Sequence, residues 1–71
     1  MIHEWMKRRR AKRIERLWKA GYDYAAGRLL RSETTPQGLE WEQAGRYTAF
    51  DKGMDSAMTR LCMARVIKDD R

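Results

Sequence analysis

Two pairs of small residues at the same spacing, Gly21-x-x-x-Ala25 and Gly53-x-x-x-Ala57, constrain this chain more than any other feature. Each sits in a segment that otherwise has helical periodicity. A glycine inside a helix costs roughly 1 kcal/mol relative to alanine. A short chain recovers that cost when the bare backbone lets a second helix come unusually close. The pairs therefore predict two helices crossing at Gly21, Ala25, Gly53 and Ala57.

The periodicity around them agrees. Residues 4–30 read as one long helix with the stripe Ile14, Leu17, Trp18, Gly21, Ala25 and Leu29, spaced by threes and fours. The segment "RSETTPQG", residues 31–38, has no apolar residue and ends that helix. It also starts the next one, with Thr35 as N-cap and Pro36 in the first helical position, or with Thr34 and Gln37 as a capping box. A second helix is expected to about Asp69, with Gly45 bending it or dividing off a short piece, 36–44. Its stripe is Tyr47, Phe50, Met54, Ala57, Leu61 and Ala64. The predicted fold is all-α: an antiparallel two-helix hairpin in a single domain spanning 1–71, with a basic, frayed start over 1–13. Opposing positions should sum to about 74 or 75 for a turn centred near residue 37, so Gly21 faces Gly53 and Ile14 faces Leu61.

A core this small needs support. With 71 residues, one cysteine and one histidine, the chain can form no internal disulfide and shows no metal-ligand spacing. A second copy is the remaining source of burial, so a homodimer building a helical bundle is expected. More apolar side chains are present than two stripes can hold, among them Trp5, Met6, Tyr22, Tyr24, Leu30, Trp41, Met58, Met63 and Val66. Surplus aromatics and methionines characterise binding faces. Tyr47, Phe50, Met54 and Met58, with Trp41 at the edge, are the candidate partner-binding surface.

Charge is unevenly placed. Residues 1–31 hold ten Lys or Arg and three acids, a net +7, whereas residues 32–71 carry a net −1. Eight cations fall between Lys7 and Lys19, with Glu15 the only acid among them. They read as distributed around the helix, with Arg8, Arg9, Arg10, Lys12, Arg13 and Arg16 as candidate contacts to nucleic acid or an acidic surface. No catalytic constellation is evident. Cys62 reads as a small buried residue, His3 as exposed, and the pairs Asp51/Asp55 and Asp69/Asp70 lack companions for acid–base or metal chemistry. The expectation is a protein that is not an enzyme and uses no cofactor and no metal. No apolar run approaches the ~18 residues a membrane span needs, and no signal peptide precedes the helix, so a cytoplasmic protein is expected.

Two resemblances follow from particular residues. Over residues 21–58 the chain resembles ribosome modulation factor, a basic two-helix protein that binds ribosomal RNA. The shared features are Gly21-Tyr22, Gly27-Arg28, the proline in the turn, and Gly53 followed by Ala57. It departs from that family in its glycine spacing and lacks the family's Trp-rich glycine pair. "GYDYAAGRLLRSETTP" followed by "AFDKGMDSAM" also resembles a pattern in short genes of bacterial viruses. That likeness implies a phage protein that binds and inhibits a host bacterial protein, such as a quorum-sensing transcription regulator (as an anti-activator) or a pilus-assembly ATPase. Binding and inhibition of a host protein is the leading expectation, and RNA or ribosome binding the alternative.

Overall fold

The computed structural model describes residues 2–70, with side chains from Lys7 onward. The expectations for His3, Trp5 and Met6 therefore concern side chains outside those described. Within it are three helices, α1 (Ile2–Leu30), α2 (Pro36–Gln43) and α3 (Ala49–Met63). The long first helix and the break at 31–35 are where the sequence puts them. The second predicted helix is two helices, and its last turns are not helical.

Local chemistry explains each boundary. Ser32 takes a left-handed φ of 57° after α1, and the amides of Ser32 and Glu33 turn back to the Leu29 and Arg28 carbonyls, which closes the helix end. The Thr35 hydroxyl accepts from the Gly38 amide at 3.1 Å and Pro36 follows in the first turn of α2. Ala44 (φ 48°) and Gly45 (φ 79°) then reverse the chain. Arg46 secures that reversal by donating to the carbonyls of Gln43 (3.1 Å) and Glu42 (3.0 Å). Thr48 opens α3 through a capping box with Asp51. Past Met63, Arg65 adopts φ 58° and the Arg65 and Val66 amides bond back to Cys62 and Leu61. That closure stops the helix well short of Asp69.

α1 and α3 pack against each other through the two glycines. A Cβ on Gly21 would run into the Phe50 carbonyl oxygen, with the carbonyl carbon at 2.7 Å. A Cβ on Gly53 would run into the Trp18 carbonyl oxygen and lie 2.9 Å from the Tyr22 nitrogen. Backbone meets backbone there, which no side chain permits. Ala25 and Ala57 are fully buried beside the crossing, with Leu29, Leu39, Met54 and Met58 completing the core.

The hairpin register does not extend past the crossing. Ile14 is 56% exposed, so it does not pack on Leu61. The chain after α3 instead lies by the other end of α1: Val66 and Ile67 line a crevice with Leu29, Leu30 and Pro36. Asp70 Oδ1 accepts from the Gln37 amide at 3.0 Å, adding a carboxylate to the N-terminus of α2. The body is thus the last turns of α1, α2, α3 and this returning tail. A helix of 29 residues is about 43 Å long, close to the molecule's 48 Å maximum extent. The first half of α1 consequently projects from the body as a single helix, which begins at Ile2.

Candidate functional site

The expected partner-binding surface breaks apart. Met54 and Met58 are 1% and 0% exposed and belong to the core, because α2 and the tail cover the face of α3 that a two-helix hairpin would leave bare. Phe50 is half-buried and tilts against Tyr24, centroids 5.6 Å apart. Only Trp41 and Tyr47 are open, at 76% and 71%. Cys62 is half-buried rather than buried. Of the surplus apolar residues, Tyr24, Leu30, Trp41, Met63 and Val66 remain exposed.

The projecting half of α1 is the more coherent surface. Every residue from Lys7 to Ala20 is exposed. At 100° per residue, Arg8, Arg9, Lys12, Arg13, Arg16 and Lys19 share an arc of about 140°. The cations go around the helix, as the sequence suggested, but unevenly: Lys7 and Arg10 fall on the other side, with Ala11, Ile14, Leu17 and Trp18. A row of exposed apolar side chains (Ile14, Leu17 at 42%, Trp18) therefore backs a cationic face. Lys19 pairs with Glu15 at 3.8 Å, both well exposed.

This arrangement carries its own electrostatic penalty. Arg8/Lys12, Arg9/Arg13 and Lys12/Arg16 are like charges four residues apart, each pair destabilising by a few tenths of a kcal/mol. A polyanion laid along the arc removes that repulsion.

Where α1 meets the body, an open groove of about 770 Å³ runs between it and α3. Trp18 and Tyr22 stack in its wall, centroids 5.4 Å apart and planes 25° apart. Elsewhere the charged groups are structural. Arg28 donates to Glu42 at 2.6 Å and to the Tyr24 hydroxyl, and Tyr24 donates to Glu42 at 3.0 Å. The Arg28 hydrogen bond holds the Glu42 carboxyl below its ordinary pKa. Asp51 is held below the carboxylate range chiefly by the Thr48 amide, against the cost of its burial. Its Oδ2 accepts from the Thr48 amide and hydroxyl, and its Oδ1 faces Arg46 at 3.6 Å. Asp55 Oδ1 accepts from the Gln43 side-chain Nε2 at 2.9 Å.

Among the described residues no cluster of three or more His, Cys, Asp or Glu could hold a metal ion, and no helix is long and apolar enough to cross a membrane. What the geometry defines is a small helical body carrying a projecting cationic helix. The chain matches no family model, no curated protein and no solved structure.

Proposed function

We propose that this is a nucleic-acid-binding protein that is not an enzyme and that contacts RNA through the projecting half of α1. The observation that carries the reading is the exposed stretch from Lys7 to Ala20, with six cations on one arc. The resemblance of residues 21–58 to ribosome modulation factor points to the same class. Arg8, Arg9, Lys12, Arg13 and Arg16 make the phosphate contacts. Arg10 stands at the edge of the opposite face. The test is a titration of labelled structured RNA at several salt concentrations. Log affinity should fall linearly with log salt, and Arg8→Gln, Lys12→Gln and Arg16→Gln together should flatten the slope by about 2–3 units. An unchanged slope, or no binding at low salt, overturns the reading.

A second reading, stoichiometric inhibition of a protein in a bacterial host, is favoured by the exposure of Trp41 and Tyr47. Its surface is then Trp41, Tyr47 and the open edge of Phe50. Retention of a protein after nuclease treatment of a bacterial lysate, lost on Trp41→Ala, supports it. In either case a second copy packed on Ile14 and Leu17 gives the homodimer.

A further inference from the structure

We infer that the apolar row on the projecting half of α1 pairs antiparallel with the same row of a second copy, the first turns of each α1 entering the other's groove beside Trp18; this deepens the homodimer reading and rests on it. At 100° per residue, Lys7, Ala11, Ile14, Trp18, Gly21 and Ala25 share one seam about 80° wide, with spacings that alternate between four and three. In the body that seam is filled. A Cβ on Gly21 would meet the Phe50 carbonyl of α3, and Ala25 is fully buried. Toward the N-terminus it is bare, with Ile14 56% exposed and Leu17, on its flank, 42%. The bare stretch thus continues a helix–helix contact already made. Trp18 joins it to the groove, since the same side chain lies on the seam and in the groove wall.

The placement of charge suits a second copy and sets its direction. Arg9, Lys12, Arg13, Arg16 and Lys19 all point away from the seam. Two arms can therefore pair without bringing these cations together, and both RNA-binding faces stay open. In the antiparallel register Ile14 packs on Trp18 of the second copy and Trp18 on its Ile14, with the two Leu17 side chains at the twofold axis. The two Glu15 carboxylates also approach there, each beside its own Lys19 at 3.8 Å. A parallel pair would instead stack Lys7 on Lys7 inside the seam and crowd both bodies at one end. Beyond the layer of Ile14 and Trp18, the second copy's seam is closed by its own α3, so the incoming turns pass into the groove. Arg8, at the edge of the cationic arc, then lies over Tyr22 of the second copy, where Asp55 in the same lining offers a carboxylate. Arg60 of that lining is already engaged with the Tyr22 hydroxyl at 3.5 Å. The pairing makes every contact twice and gives the projecting half of α1 the tertiary support a lone helix lacks.

Sedimentation equilibrium of the full chain should give twice the 8.5 kDa monomer mass. Ile14→Glu, at an exposed position clear of the helix crossing, should weaken the dimer by about a hundredfold, and Ser56→Arg in the groove lining by about tenfold. Nitroxide labels on Arg16→Cys or Arg9→Cys, each in a Cys62→Ser chain, report the direction. Residue 16 lies at the axis, whereas two residues 9 are offset by about 21 Å along it, so the distance between copies should be about 10 Å longer at 9 than at 16. Equal distances mean a parallel pair and overturn the proposal. A dimer indifferent to Ile14→Glu overturns this face and leaves the homodimer reading standing, and one indifferent to Ser56→Arg overturns the seating in the groove. A chain that stays monomeric up to about 0.1 mM overturns both the pairing and the homodimer reading.

Discussion

At Gly53 a single methyl group decides whether the two main helices can touch. The nearest atoms to an added Cβ belong to the Trp18 and Tyr22 backbone, which cannot swing aside as a side chain end would. Gly53→Ala must push α3 off α1 and open the packing around Ala25 and Ala57. A loss of about 3 kcal/mol or more is expected in urea unfolding, although alanine is the better helix former. Asp51 makes a different residue-scale case. Its folded pKa lies below its ordinary value, so its contribution is complete above the unfolded pKa near 4 and is lost as pH falls through the folded value. Stability should therefore decline on acidification below about pH 4–5. Asp51→Asn should lower stability at neutral pH by about 1 kcal/mol and flatten that part of the acid limb, as read from thermal midpoints across pH.

Among the elements, α1 is two objects in one helix. From about Trp18 onward it is held by tertiary contacts. Before that it depends on its own propensity, against repulsion between stacked cations. Short helices without tertiary support are marginal in water. Helical content should therefore rise when the repulsion is neutralised. Circular dichroism at 222 nm should deepen on adding RNA or heparin, and the increment should vanish in a chain lacking residues 1–13. A signal indifferent to polyanions would show that the projecting half needs no such partner. α2 is the opposite kind of element. Its eight residues persist because Thr35, Pro36 and Asp70 fix one end and Arg46 the other.

For the molecule as a whole, sequence periodicity carried far in some places and failed in others for identifiable reasons. The glycine–alanine spacing located the α1–α3 contact, because close backbone approach excludes every other residue type there. Pro36 located the break. The division of the second helix at Gln43 was visible only as a glycine at 45, since the reversal begins on Ala44, a residue that favours helix everywhere else. The end of α3 was illegible: Arg65 sits in a left-handed conformation without glycine, and nothing local announces it. That error, together with the undivided second helix, misplaced Met54 and Met58. With a longer helix and no returning tail, their face had no cover. The groove beside Trp18 was missed for a related reason: Trp18 read as a hairpin core residue when it lies at the rim. The cationic arc was legible as well, because it follows from the 100° step of the helix read over residues 4–30; counting the cations without placing them on that helix hid it.

The tail that brings Val66, Ile67 and Asp70 back over Leu29 and Pro36 also orders events during synthesis. The body cannot close until these late residues have left the ribosome. The exposed stretch from Lys7 to Leu17 precedes the body in the chain and lies outside its core. A nascent chain therefore offers its charged arm to surrounding polyanions while the rest of it is still unfolded, and ribosomal RNA is the polyanion nearest at that moment.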